Sequence, residues 1–199
     1  ASSGWLQPPR FIQRISSNAS SHSSWIWPKA EPKRVVSEQL SYQITSLLES
    51  VTSGYIDHTG KKRAGTAAIV SKLGHPVAGK TGTTNEAKDA LFIGYTPHYV
   101  AGVWVGYTNN RSLGAKEYGG RVAAPIWLHL MKTIHRELPK QPFTVPQEGL
   151  TFTTIDPTSG KLATQQGIEE VFLEGTAPKE FAPSPDQGSQ EDFLLQQFR

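Results

Sequence analysis

The clearest hydrophobic pattern lies in residues 36–54 and predicts an amphipathic helix. Its apolar residues recur at intervals of three or four, which places them on one helix face. These residues are Leu40, Ile44, Leu47, Leu48 and Val51. Ser37 precedes the pattern as a candidate N-cap, and Gly54 follows it as a candidate terminator. We therefore expect a helix whose apolar stripe faces the core.

A strand hairpin is predicted further along the chain. Residues 90–95 and 100–107 are rich in β-branched and aromatic side chains, and residues 96–99 between them suit a turn. Before the hairpin, residues 55–63 are polar and predict a surface turn. Residues 65–74 predict a short helix that is closed by its final glycine.

A second amphipathic helix is predicted from about Val122. Its apolar face is formed by Ala123, Trp127, Leu130, Met131, Ile134 and Leu138. Pro125 is expected in the first turn, where a missing backbone N–H is tolerated. Helices and a hairpin in this order predict an α+β fold, with an antiparallel sheet packed against helices.

The residue composition and the hydrophobic pattern change near both ends of the sequence. Residues 15–33 are rich in serine and lack a sustained period, which predicts a surface loop. Candidate strands beyond residue 139 are short, at 150–156, 161–164 and 171–173. We expect four segments: an N-terminal segment with the loop (1–35), a main body (36–139), a small β-rich appendage (140–182) and a flexible tail (183–199).

Composition excludes several kinds of site. The 199 residues include no cysteine, which excludes disulfides and thiolate metal ligands. The net charge is +3 and the basic residues are scattered, so nucleic acid binding is not indicated. His129 and His135 are six positions apart on the predicted helix and occupy different faces, which argues against a shared metal. No apolar run approaches the length needed to cross a bilayer. Neither a metal nor a cofactor is predicted.

One short stretch matches two unrelated catalytic patterns. Residues 74–81 fit the phosphate-loop string G-x-x-x-x-G-K-T, which would make the chain a nucleotide binder. A phosphate loop must follow a strand and open a helix, but the residues after Lys80 are poor helix formers and lead into a strand. Pro76 also removes a backbone N–H from the middle of the loop. The context therefore disfavours nucleotide binding.

The second pattern is K-T-G-T at Lys80–Thr83, a signature of serine acyl-transferases. On a strand, Thr81 and Thr83 share one face, and Gly82 leaves room for a substrate backbone. At a sheet edge, the free backbone groups of such a strand would pair with an extended peptide. Lys80 adds a positive charge, the hydroxyls can donate to a carboxylate, and one backbone N–H can stabilise an oxyanion.

A family resemblance covers roughly residues 8–175. Its most specific part, residues 78–110, reads AGKTGTTNEAKDALFIGYTPHYVAGVWVGYTNN. It resembles the transpeptidase domain of class A, bifunctional penicillin-binding proteins, and residues 36–139 resemble the C-terminal half of that domain. The implied activity is D,D-transpeptidation: a serine attacks the D-Ala-D-Ala bond of a peptidoglycan stem peptide, and β-lactams occupy the same site.

The resemblance also assigns roles to the residues of the K-T-G-T strand. It implies that Lys80 tunes the site's electrostatics, that Thr81 and Thr83 bind the terminal carboxylate, and that the Thr83 N–H is an oxyanion donor beside Gly82. It implies no cofactor. Glu86 and Asp89 follow the strand and invite an acid–base role, but a solvated turn is the simpler interpretation.

The chain departs from the family pattern at the nucleophile. No serine has a lysine three positions later, so the S-x-x-K signature is missing. Ser16-Ser-Asn18 matches the S-x-N string, but we interpret these residues as the polar residues of a loop. We therefore expect the C-terminal part of a longer, extracytoplasmic protein, anchored by a segment outside this chain. Its upstream part would carry the serine, and this chain alone would be inactive. The alternative is a non-catalytic fragment that acts as a binding or complementation module.

Overall fold

The computed structural model describes residues 2–16, 24–26, 28–57 and 60–183. The helices are α1 (Glu38–Ser53) and α2 (Gly119–Ile134), with 3-10 helices at Ala68–Leu73 and Asn85–Ala87. The strands are β1 (Trp5–Leu6), β2 (Arg14–Ser16), β3 (Ser24–Ile26), β4 (Lys33–Arg34), β5 (Tyr55–Ile56), β6 (Lys62–Arg63), β7 (Ala78–Thr83), β8 (Asp89–Tyr95), β9 (Val100–Gly106), β10 (Leu150–Ile155) and β11 (Ile168–Leu173).

The ends of α1 are set by local capping, as predicted. The side-chain oxygen of Ser37 accepts a hydrogen bond from the backbone N–H of Leu40 at 3.1 Å, which satisfies a free donor in the first turn. Gly54 ends the helix with a φ of 76°, a left-handed value that suits glycine. Both ends of the helix could therefore be found from neighbouring residues alone.

The buried face of α1 differs from the predicted one. Leu40, Ile44 and Leu47 are 37, 48 and 46% exposed, whereas Thr45 and Thr52 are buried. The Thr45 hydroxyl lies 2.9 Å from the Tyr95 hydroxyl, and the Thr52 hydroxyl donates to the carbonyl oxygen of Val77 at 2.7 Å. The predicted core-facing stripe is thus wrong for three leucine and isoleucine positions, because α1 packs with its threonine-bearing side.

The central sheet has three antiparallel strands in the order β7-β8-β9, which confirms the predicted hairpin. One sheet face packs against α2 through an edge-to-face contact between Phe92 and Trp127, with ring centroids 5.3 Å apart. The Trp127 indole N–H also donates to the carbonyl oxygen of Ala101 at 3.0 Å. The buried core is formed by Ala67, Val70, Val77, Phe92, Ala123, Ala124, Trp127, Leu128 and Met131.

Helix α2 begins at Gly119, three residues earlier than predicted. Pro125 therefore lies in the second turn rather than the first, where its missing N–H leaves one helical carbonyl without its usual donor. Leu130 and Ile134 are 44 and 39% exposed, so the predicted apolar face is only partly the buried one. The buried side of α2 meets β8 and includes Ala124, Trp127, Leu128 and Met131.

The C-terminal hairpin packs against α1. Strands β10 and β11 pair antiparallel, and the side-chain amide of Gln43 donates to the carbonyl oxygen of Val171 at 2.9 Å. Residues 161–164, predicted as a strand, form only isolated bridges at Leu162. The division of residues 140–182 into a separate appendage stays a prediction. The predicted tail, after position 183, lies outside the described residues.

Two segments expected to be irregular contain short hairpins. The segment predicted as a serine-rich surface loop contains the short pairing of β2 with β3. Residues 17–23 and Trp27 lie outside the described part. The predicted turn at 55–63 holds β5 and β6, joined by an ion pair between Arg63 and buried Asp57, whose Nε and Oδ2 atoms are 2.6 Å apart.

Candidate active-site strand

The K-T-G-T residues lie on β7, at the edge of the sheet. Strand β7 pairs with β8 along one side, and within residues 60–183 no strand covers its other side. Lys80 lies opposite Ile93 in the register, and Gly82 lies opposite Leu91. Alternation then places Thr81 and Thr83 on the face that α2 covers. The edge position leaves backbone donors and acceptors free for an extended ligand.

The two threonine hydroxyls of β7 contact neighbouring backbone and side chains. Oγ1 of Thr83 accepts a hydrogen bond from the backbone N–H of Gly119 at 3.2 Å, and Oγ1 of Thr81 lies 3.3 Å from that of Thr66. Lys80 is exposed, and its Nζ donates to the carbonyl oxygen of Thr81 at 2.8 Å. The four predicted residues are therefore together on one strand, next to the N-terminus of α2.

The close approach of α2 depends on two glycines that sequence reasoning missed. A Cβ on Gly119 would overlap the carbonyl oxygen of Leu91 and lie 2.7 Å from that of Gly82. A Cβ on Gly120 would overlap the carbonyl oxygen of Thr66. The only sequence signal is the glycine pair just before a helical pattern. Because neither glycine has a side chain, the helix N-terminus and its partial positive charge can lie beside β7.

The turn after β7 is held by side-chain hydrogen bonds. Glu86 and Ala87 have φ values of 61° and 50°, which are unusual for residues other than glycine. Glu86 is exposed and pairs with Lys88 at 2.8 Å, and this hydrogen bond and charge lower the pKa of its carboxyl. Asp89 is half-buried and accepts from the indole N–H of Trp104 at 3.0 Å. The solvated-turn prediction therefore fits Glu86, whereas Asp89 begins β8 and is held by hydrogen bonds.

Comparison with known proteins identifies the family. The model of the penicillin binding protein transpeptidase domain matches residues 1–132. The chain belongs to this transpeptidase family. This confirms the resemblance to the C-terminal part of a class A penicillin-binding protein and the α+β fold expected from it.

Curated relatives extend the likeness to the transpeptidase family. The chain is 46% identical over 116 residues to penicillin-binding protein 1A of Aquifex aeolicus, covering 57% of this chain and 16% of the relative. It is 38% identical over 145 residues to that of Rickettsia prowazekii, covering 73% of this chain and 17% of the relative. The matched part of the chain thus spans less than a fifth of the length of these relatives.

A solved structure shows the same fold as this transpeptidase-family chain. The crystal structure of penicillin-binding protein 1A from Haemophilus influenzae at 2.6 Å resolution superposes with a TM-score of 0.72. The sequences are 26% identical, and the match covers 90% of this chain and 31% of the other. Among the residues described here, no helix is both long and apolar enough to span a bilayer.

The structure around Lys80 does not have the form of a phosphate loop. Gly74 closes a 3-10 helix in a left-handed conformation, with φ 75° and ψ 9°. Lys80 lies inside a strand, and a second strand follows after a single 3-10 turn. The helix that would present its N-terminus to a phosphate is absent at this point of the described chain.

Three histidines of the transpeptidase fold form a structural cluster. His135 is buried, with Nε2 2.8 Å from Oγ1 of Thr96 and Nδ1 3.0 Å from the carbonyl oxygen of Met131. The rings of His75 and His98 lie 4.9 and 6.0 Å from that of His135. Among the described residues no set of three potential ligands is arranged to hold a metal ion. His22 and His58 lie outside the described residues.

A cavity of about 530 Å³ opens between α1 and β11, and none of the four K-T-G-T residues lines it. Its wall includes Glu49 and Glu170, and burial raises the pKa of both carboxyls. The serine hydroxyls on α1 give it a polar lining. This cavity is therefore separate from the strand that the transpeptidase signature marks.

Proposed function

We propose that this chain forms one wall of a serine D,D-transpeptidase site that cross-links peptidoglycan stem peptides. The observation that carries the proposal is the K-T-G-T sequence on an edge strand in a chain of the transpeptidase family. Peptidoglycan and β-lactams are the ligands, and no cofactor takes part. Because peptidoglycan is assembled outside the cytoplasm, the protein would work on the extracytoplasmic side.

The proposed chemistry uses a serine outside this chain. Its hydroxyl oxygen attacks the carbonyl carbon between the two D-Ala residues, its proton passes to a neighbouring base, and the C–N bond breaks with release of protonated D-Ala. The amine of a second stem peptide then attacks the acyl-serine carbonyl carbon and forms the cross-linking amide bond. The C–O bond to serine breaks, and the proton lost by the amine returns through the base to the serine oxygen. Each step passes through a tetrahedral intermediate with a negative oxygen, which preorganised N–H donors stabilise.

Each residue of the strand has a role in this proposal. The stem peptide lies along the free edge of β7 and extends the sheet, as in other strand-addition complexes. Lys80 supplies positive charge, and the hydroxyls of Thr81 and Thr83 donate to the terminal carboxylate. The backbone N–H of Thr83 donates to the oxyanion, and Gly82 keeps the approach open. These roles follow from the family signature.

Exposed apolar side chains support the proposal that another part of the protein completes the site. Leu40, Ile44 and Leu47 on α1 are exposed, and so are Ile93 and Trp104, at 54 and 58%, on the sheet face that carries Lys80. Large apolar side chains exposed on one face favour packing by another segment. We propose that an upstream segment of the same protein covers this face and brings the serine opposite Lys80. The matches cover only 16 and 17% of two longer relatives, whose remaining length has room for such a segment.

A fluorescent penicillin, which labels only a reactive serine, tests the proposal. We expect no labelling of this chain alone and stable labelling when it is co-expressed with the preceding part of its own gene. Lys80→Met should remove the labelling, whereas the matched variant Lys88→Met, which loses only the ion pair with Glu86, should keep it. Labelling of the isolated chain, or none in the completed protein, would contradict the proposal. Labelling after mixing separately made parts would support complementation.

A further inference from the structure

Asp89 joins the end of the K-T-G-T strand to β9. Its Oδ1 accepts a hydrogen bond from the indole N–H of Trp104 at 3.0 Å, and its Oδ2 accepts from the hydroxyl of Thr84 at 3.1 Å. Thr84 is the residue that directly follows Thr83 at the end of β7. One carboxylate therefore connects β9 to the backbone position next to the proposed oxyanion donor.

Backbone bonds close the same turn. The hydroxyl of Thr84 accepts from the backbone N–H of Asp89 at 2.8 Å, and the backbone N–H of Thr84 donates to the carbonyl oxygen of Asp89 at 3.1 Å. From the other side, the Ser112 hydroxyl donates to the carbonyl oxygen of Glu86 at 2.6 Å. A turn with two left-handed non-glycine residues persists only where its surroundings fix it. These bonds fix it.

Space for the Asp89–Trp104 pair is provided by a glycine. Gly106 lies opposite Asp89 in the register, and a Cβ on it would lie 2.7 Å from Cζ2 of Trp104 and 2.8 Å from Oδ1 of Asp89. The indole can therefore lie across this position and reach the carboxylate. Asp89 and Trp104 also lie on the sheet face that carries Lys80.

We propose that Asp89 is a positioning residue for acyl transfer, which holds the end of β7 so that the Thr83 N–H is directed at the oxyanion. The inference rests on the proposed function of β7. It assigns no proton transfer to Asp89. Displacing a donor by about 1 Å can slow a reaction roughly 100-fold, so a residue that only holds the strand affects the rate.

The test separates the acylation step from binding in the protein completed by its upstream segment. Penicillin acylation is followed by stopped flow and resolved into a non-covalent Kd and a first-order rate constant. We expect Asp89→Ala to lower the rate constant about tenfold or more while Kd changes less, since one oxyanion donor is misplaced. Trp104→Phe and Thr84→Val should each lower the rate constant by part of this factor. Thr84→Ser keeps the hydroxyl and should acylate with a rate constant close to that of the wild type.

Two further variants complete the set. Combining Asp89→Ala with Trp104→Phe should cost no more than Asp89→Ala alone, because both remove the same hydrogen bond. Glu86→Gln is the matched control in the same turn, and it should acylate like the wild type. Amide exchange in the isolated chain should rise at residues 83–89 in Asp89→Ala while the core of β8 stays protected.

The outcomes distinguish this inference from the function on which it rests. A wild type that is not acylated overturns the proposed function, and with it any role of Asp89 in acylation. An acylated wild type with Asp89→Ala at the same rate constant overturns only the positioning role. The role also fails if the loss merely follows the fraction of folded protein, measured by thermal unfolding of each variant.

Discussion

The backbone N–H of Gly119 donates a hydrogen bond to Oγ1 of Thr83 across 3.2 Å, which joins the first residue of α2 to the last residue of β7. Accepting this bond uses a lone pair of the hydroxyl, so its proton remains available for donation. The same oxygen can therefore hold the helix and donate to a substrate carboxylate. The relationship ties the fold of the sheet to the proposed binding strand.

Gly119→Ala should destabilise the protein. The added methyl group would overlap the carbonyl oxygen of Leu91, so β8 or α2 must shift, at a cost of about 1 to 3 kcal/mol. Urea unfolding measures the change. Gly102→Ala is the control, because its Cβ would meet only Cγ1 of Ile93 at 3.5 Å, an ordinary contact. Equal stability of the two variants would contradict the prediction.

Thr83→Val should weaken the junction between β7 and α2. Valine keeps the branched shape but leaves the N–H of Gly119 without its acceptor, which should cost about 1 kcal/mol. Thr83→Ser retains the oxygen and should stay close to the wild type in the same urea titration. A loss as large in the serine variant would mean that the methyl group, not the hydrogen bond, matters.

Gly82→Ala should separate folding from binding. Its Cβ would lie 3.4 Å from Cβ of Leu91 and 3.8 Å from its Cδ1, so the fold should tolerate the methyl group with little change in Tm. In the completed protein, penicillin acylation should nevertheless slow about tenfold, because the methyl narrows the approach to the strand. Unchanged acylation in a normally folded variant would show that the substrate does not pass this position.

Stability should fall on acidification because of His75. Burial lowers the pKa of this imidazole, and the nearby charges of His135, Lys140 and His98 lower it further. The folded state therefore favours the neutral ring. Its contribution is complete above the ordinary pKa of about 6.5 and is lost as the pH falls through the lower folded-state value.

Urea unfolding at pH 7.5 and pH 5.5 measures this effect. The fall in unfolding free energy between the two pH values should be smaller in His75→Gln than in the wild type. His129→Gln serves as the control, because that histidine is exposed on α2. If His75→Gln loses as much stability on acidification as the wild type does, another group is responsible for the pH dependence.

Local sequence determined the ends of α1, the hairpin and the catalytic signature. Ser37 and Gly54 set the limits of α1 through bonds and dihedral angles within one turn. The hairpin of β8 and β9 follows from two β-rich runs around four turn residues. The K-T-G-T string and its surroundings also gave the family, which the comparisons confirmed. Each of these features depends on residues that are close in sequence.

Tertiary structure alone decided which groups meet. Thr45 and Thr52, rather than the leucine stripe, face inward on α1 because their hydroxyls find partners on Tyr95 and Val77. Asp89 reaches Trp104, 15 positions away, only because the strand register places it opposite Gly106. Gly119 meets Thr83 only when α2 packs on the sheet. Side-chain period and capping are local properties, whereas burial and cross-strand bonds depend on the register and packing of distant segments, which no local pattern specifies.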